Sequence, residues 1–284
     1  MSVKILSDST CDLSKELIEK YDIELLPLHI VLGDKEYLDG VEIGPDEIYE
    51  WSDANKTTPK TSAASITDMM DLYEKYEKDY DEMVIFSISG KMSTTVNVMR
   101  MAAEELEIEE RVFVVDSENL STGGGHLVIE AALMAQEGKS AKEIVDYVTE
   151  LRPRVRASFV VDTLTYLHRG GRCSGVAALA GSALKLHPKI LVEDGAMKPD
   201  KKYRGKMKKV ILDYAKEMEP QLLEAKKDRV FITHSGCEAE VLESVKEYLE
   251  SLNHFDEILT TRAGGVISSH CGPGTLGVLY IEKQ

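Results

Sequence analysis

Residues 83–106, MVIFSISGKMSTTVNVMRMAAEEL, confine the chain to a narrow set of folds. The apolar run 83–86 is short and sharply bounded, so it reads as a buried strand. A polar loop follows over 87–93, and from Thr94 onward apolar residues return at helical spacing, at Val98, Met101, Ala102 and Leu106. Strand, hydroxyl-rich loop and helix form the unit of open α/β sheets, whose ligands bind beyond the carboxyl ends of the strands. Here the loop presents Ser87, Ser89, Ser93, Thr94 and Thr95 where the first-turn N–H groups of a helix lack partners. Such a place favours an anionic group. The plainer reading, Ser93 or Thr94 serving only as a helix cap, fits the same residues.

The unit recurs. Residues 3–6 read as a first strand that ends in Ser7-Asp8-Ser9-Thr10, before a helix capped by Asp12 or Ser14. The run 23–32 is extended, broken by Pro27 and ended by a Gly33-Asp34 turn, and a short helix follows Gly44-Pro45. A second hydroxyl cluster, 57–66, is read as a loop that exposes Thr61 and Ser62 ahead of a helix capped by Ser65 or Thr67. Residues 111–116 form a further strand, and 117–125 a small-residue loop with three consecutive glycines before a helix over 127–136. Three glycines permit positive φ and close approach to a bound group, but without G-x-G-x-x-G spacing they are a weak phosphate signal. Another helix, capped by Ser140, ends at Pro153. These units predict an N-terminal parallel sheet flanked by helices, residues 1–155.

The second half, residues 156–284, is patterned differently. Residues 157–161 read as a strand and 162–175, DTLTYLHRGGRCSG, as a turn of helix entering a basic loop; 176–186 is apolar and helical, ended by Pro188. Short strands at 190–192, 196–198 and 202–204 surround a Glu193-Asp194-Gly195 turn. Helices over 206–223 and 238–252 alternate with strands at 229–234, 257–261, 266–269 and 277–281. A C-terminal α/β domain with a mixed or antiparallel sheet is expected.

Net charge is −16, which argues against a general binder of nucleic acid or of anionic membranes. Residues 151–210 run against that background, with 14 Lys/Arg and 4 Asp/Glu. Arg169, Arg172, Lys201, Lys202, Arg204, Lys206, Lys208 and Lys209 form either a solvated face or a docking surface. The four cysteines form no C-x-x-C pair, no signal peptide is visible, and no apolar run reaches membrane-spanning length, so a cytoplasmic setting is expected.

Seven segments in register resemble the DegV family, the fatty-acid-binding carrier subunits of a bacterial fatty-acid kinase. They are SDSTCDL (7–13), PKTSAAS (59–65), SISGKMSTT (87–95), VVDS (114–117), LTYLHRGGRCS (164–174), HPKILVEDG (187–195) and SHCGPGTLGV (269–278). The resemblance implies a two-domain α/β protein that encloses one long-chain fatty acid between its domains, needs no cofactor and performs no chemistry. It also implies a carboxylate held by Thr61, Ser93 and His270, a partner kinase that phosphorylates it, and passing contact with a membrane surface. Two loops depart from the family pattern. The usual T-S-Q-P-S is Thr61-Ser62-Ala63-Ala64-Ser65, and the glycine of L-S-G-T-Y is replaced by Thr94, which would not suit a left-handed backbone.

Chemically, a carboxylate removed from water needs two or three donors, which two hydroxyls and an imidazole N–H supply. Taken without the resemblance, His270 reads more readily as a core histidine tied to a backbone carbonyl. Competing functions are a phosphotransferase or hydrolase that uses the loops as a phosphate site, or an adaptor without a ligand. Against the first, the chain has no G-x-x-x-x-G-K-[ST], G-x-S-x-G or H-E-x-x-H.

Overall fold

The computed structural model describes residues 2–173 and 186–283. Along the first half run β1 (Val3–Asp8), α1 (Lys15–Lys20), β2 (Ile23–Leu26), β3 (His29–Leu32), β4 (Lys35–Leu38), α2 (Pro45–Asn55), β5 (Lys60–Ser62) and α3 (Ile66–Tyr76). β6 (Glu82–Ser87), α4 (Thr95–Glu105), β7 (Val112–Asp116), α5 (Thr122–Gln136) and α6 (Ala141–Leu151) complete it. The second half contains β8 (Val155–Val160), α7 (Thr165–Gly170), β9 (Leu186–Glu193), β10 (Ala196–Arg204), α8 (Met207–Glu217) and α9 (Glu219–Leu223). It closes with β11 (Arg229–His234), α10 (Ala239–Ser251), β12 (Glu257–Arg262), α11 (Gly265–Cys271) and β13 (Leu276–Ile281).

The repeated strand-loop-helix units build a parallel sheet of order β2-β1-β6-β7, as expected. The second half builds a mixed sheet of order β10-β9-β8-β13-β11-β12, antiparallel except where β11 runs parallel to β12. A small antiparallel sheet, β4-β3-β5, was not expected, because 57–66 reads as a loop. Strand β5 is only three residues long and pairs with β3 along one side, too short to leave a period in the sequence.

Helix α5 lies between the two large sheets. Leu127, Val128 and Ile129 join Ile5, Val84 and Phe86 from the parallel sheet and Ala157, Phe231 and Leu279 from the mixed one in a single core. The expected glycine loop is the first turn of this helix. A Cβ on Gly125 would lie 2.8 Å from the Cys11 carbonyl, and one on Gly123 would overlap the Asn119 side chain. These glycines therefore serve close packing of protein against protein, where glycine's poor helix propensity is outweighed.

Two further expectations are corrected. Residues 266–269 form part of helix α11, not a strand; Gly265 to Ser269 are all buried, so no amphipathic period marks the helix. Leu186 and Pro188 belong to β9, not to the end of a helix, while 176–185 lies outside the described residues. Pro188 is tolerated in the sheet because its carbonyl accepts from the Val161 N–H while β10 shifts register opposite it, between Pro199 and Lys202.

Candidate ligand-binding site

The β6–α4 loop is fixed from below. Buried Asp8, at the end of β1, accepts from the Ile88 N–H at 2.8 Å, and Asp116, at the end of β7, accepts from the Gly90 N–H at 3.1 Å. The loop folds back so that the Ser93 N–H donates to the Ser89 carbonyl at 3.1 Å. Ser93 Oγ accepts from the Thr95 N–H at 3.3 Å and lies 2.8 Å from Thr95 Oγ1, so it caps the helix in part. At Thr94 φ is −86°, outside the left-handed region, and a β-branched residue sits there without strain.

Thr61 stands on β5 rather than in a loop, paired with Ile30. Its hydroxyl lies 2.8 Å from His270 Nε2, on α11. The other ring nitrogen, Nδ1, is buried without a hydrogen-bond partner among the described residues and lies so near Gly170 that a Cβ there would overlap it. Burial first, and then the nearby Arg172 guanidinium, push the imidazole down to about 4, so it is neutral at pH 7. When Nε2–H donates to Thr61, the Thr61 hydrogen remains to donate into the adjoining space. In the same way a Thr95 hydroxyl that donates to Ser93 frees the Ser93 hydrogen.

Thr61, Ser93 and His270 all line one cavity of about 420 Å³, within the ~300–1,000 Å³ usual for small-molecule sites. Ile88, Met92, Leu120, Met197, Ile267 and Cys271 supply its apolar wall. Lys91 and Arg172 also line it, and no carboxylate does among the described residues, which sets it apart in a chain of net charge −16. A smaller cavity of about 30 Å³ shares Leu120, Ile267 and Cys271 as walls and continues toward Phe159, Thr233 and Leu279. Sequence patterning did not place Lys91 or the apolar wall at the site. Arg172 was legible only as one cation in a basic stretch.

Within that stretch, Lys198, Lys201 and Lys208 pair with Glu193, Glu217 and Glu240. Lys202, Arg204, Lys206 and Lys209 are exposed and make no ion pair among the described residues. No helix of the described residues is long and apolar enough to cross a membrane.

The model of the DegV family, described as uncharacterised proteins, matches residues 2–283. A Thermotoga maritima protein named "Fatty acid-binding protein" is 35% identical over 284 residues, covering 98% of this chain and 96% of its own. Among solved structures, one described as "Fatty Acid Binding of a DegV family Protein from Thermus thermophilus" superposes with a TM-score of 0.90 at 32% identity, covering 100% of both chains. A stearic acid-binding protein from Eubacterium ventriosum superposes with a TM-score of 0.85 at 29% identity, over 99% of this chain and 98% of its own.

Proposed function

The chain belongs to the DegV family, and we propose that it is a non-catalytic carrier that binds one long-chain fatty acid between two domains, residues 1–155 and 156–284. The carboxylate sits against Thr61, Ser93 and His270, with Arg172 and Lys91 balancing its charge. From there the acyl chain passes Leu120, Ile267 and Cys271 toward the smaller cavity. The observation that carries this reading is the convergence of residues 61, 93 and 270 on one cavity walled by apolar side chains and lined by cations, without a carboxylate among the described residues.

The energetics follow from the two ends of the ligand. Each buried methylene contributes about 0.8 kcal/mol, so a long chain offers on the order of 10 kcal/mol before the costs of association. The hydroxyls and the imidazole orient the head group and discriminate an acid from a neutral lipid. A neutral His270 contributes through Thr61, as a donor that fixes which way the hydroxyl points.

The same reading includes a partner, a fatty-acid kinase subunit that transfers a phosphoryl group from ATP to the exposed carboxylate, giving an acyl phosphate and ADP. The work is cytoplasmic, with passing contact at a membrane surface to load and unload. Lys202, Arg204, Lys206 and Lys209 supply the docking charge. Charge reversal at Lys206 and Lys209 is expected to slow phosphorylation by the kinase and leave fatty-acid affinity intact; unchanged phosphorylation refutes that docking role.

Denaturing extraction of the purified protein followed by mass spectrometry tests the central claim. About one equivalent of fatty acid per chain is expected. Protein that carries none, and takes up no added stearate, sinks the carrier reading. Nucleotide or phosphate bound in its place favours a phosphotransferase.

A further inference from the structure

His270 is carried by a helix of the second half that is seated in the first. Helix α11 packs on α7 of its own half and, in the first half, on α2, β3, β5 and the 3-10 turn Ser9–Cys11. Gly265 is pressed so close that an added Cβ would lie 2.5 Å from Ile30 Cδ1 and 2.8 Å from both Asp39 Oδ1 and Ile48 Cδ1. What holds the start of this helix is a pair of carboxylates from distant parts of the chain. Asp12 Oδ1 accepts from the Gly264 N–H at 2.8 Å, and Asp39 Oδ1 accepts from the Gly265 N–H at 2.7 Å. Their second oxygens are also occupied, Asp12 by the Ser121 hydroxyl and Asp39 by the Ser9 hydroxyl.

Neither carboxylate faces a cation in an ion pair among the described residues, and Asp12 and Asp39 are only 5% and 3% exposed. Burial pushes both carboxyls up, Asp12 to about 8. Burying two acids in this way is costly, and hydrophobic residues would fill the space at less expense. Their oxygens do one thing an apolar side chain cannot, which is to fix the backbone N–H groups of residues 264 and 265 in position.

We propose that Asp12 and Asp39 are positioning residues for the head-group site: by fixing residues 264 and 265 they set the axial position of α11 and hence the 2.8 Å contact of His270 with Thr61. His270 lies five residues beyond Gly265, about 7.5 Å along the helix, within one rigid segment. A displacement at the pinned end is therefore delivered to the imidazole almost undiminished. Of the cavity's apolar wall, Ile88, Met92, Leu120 and Met197 stand outside α11 and do not depend on that pin, while Ile267 and Cys271 move with the helix.

This inference rests on the carrier reading, and the test separates the two. Stearate and stearyl alcohol are titrated into lipid-free wild type, Asp39→Ala, the Asp12→Ala/Asp39→Ala double variant and Asp39→Asn. The alanine variants should bind stearate roughly ten- to a hundredfold more weakly, the span for losing a hydrogen bond to a charged group, while affinity for the alcohol falls by much less. Asp39→Asn keeps an oxygen that accepts from Gly265 and should keep stearate affinity. In nitrogen-15 histidine spectra the unequal His270 ring nitrogens should become more alike in the alanine variants and stay unequal in Asp39→Asn. A parallel loss of acid and alcohol, or no loss of either, overturns the proposal. Should the alanine variants not fold, Ser9→Ala, which strips Asp39 of its supporting hydroxyl, carries the same comparison with a smaller loss. Wild type that fails to bind stearate removes the carrier reading itself; unaffected variants beside a binding wild type remove only this inference.

Discussion

Replacing Thr61 by valine changes one polar atom and almost no volume. Strand β5 keeps its register, because the pairing of residue 61 with Ile30 is made by the backbone. Two consequences follow from the contacts. First, His270 Nε2 loses its partner at 2.8 Å, and since Nδ1 has none among the described residues, the imidazole is left with neither nitrogen bonded to them. Stranding a buried polar group in this way costs about 1–3 kcal/mol. At about 2–4 °C per kcal/mol for chains of roughly this length, the lipid-free thermal midpoint should fall by several degrees. Second, a bound carboxylate loses one of its donors, worth about 1.5–3 kcal/mol, so the dissociation constant for stearate should rise roughly ten- to a hundredfold or more. Thermal unfolding of the lipid-free protein and calorimetric titration with stearate measure the two effects separately. A lower midpoint with unchanged stearate affinity would show that Thr61 serves only His270, and the head-group assignment would fall.

Two further predictions concern the buried charges. The Asp12 carboxyl is pushed up to about 8 by burial, so between pH 4 and 8 the folded protein holds a proton that the unfolded chain has released. Its raised value means that stability is fullest below the unfolded value and is lost as pH rises toward 8; Asp12→Asn, which cannot ionise, should therefore gain on wild type by about 1 kcal/mol per pH unit in that window. Urea unfolding at pH 5 and pH 8 reads this directly, and a constant difference between the two proteins refutes it. The second concerns Glu130 on α5, which bonds Arg229 on β11 at 2.6 Å with both side chains only 7% exposed, and which also accepts from Lys226 at 3.1 Å. Glu130→Ala leaves two cations without their shared carboxylate and should destabilise by about 3–5 kcal/mol in urea unfolding; a loss below about 1 kcal/mol would mean that solvent compensates them.

How far the fold was readable depended on the range of the forces that shape each segment. Strands β1, β6 and β7 are apolar runs ending in hydroxyl loops, and α3 and α6 open on Ser65 and Ser140 in complete capping boxes, so local chemistry marks them. Helix α11 was misread because every face of it from Gly265 to Ser269 is buried, which erases the period that distinguishes helix from strand. The first turn of α5 was misread for a related reason: Gly123 and Gly125 are unfavourable to a helix in isolation and necessary only because Asn119 and Cys11 approach so closely.

For the site, the sequence carried the residue types and, through seven motifs in register, the family to which they belong. Thr61, Ser93 and His270 could be named before any coordinate was known. Folding decided what those side chains are to one another: that Thr61 and His270 touch, that the imidazole is neutral, that Arg172 and Lys91 stand on the same wall, and that an apolar recess leads inward past Leu120. Caps and alternating apolar residues act over a few positions and can be read in place. A dielectric environment, a shared cavity wall or a carboxylate that pins a helix 226 residues further along exists only once distant segments have packed.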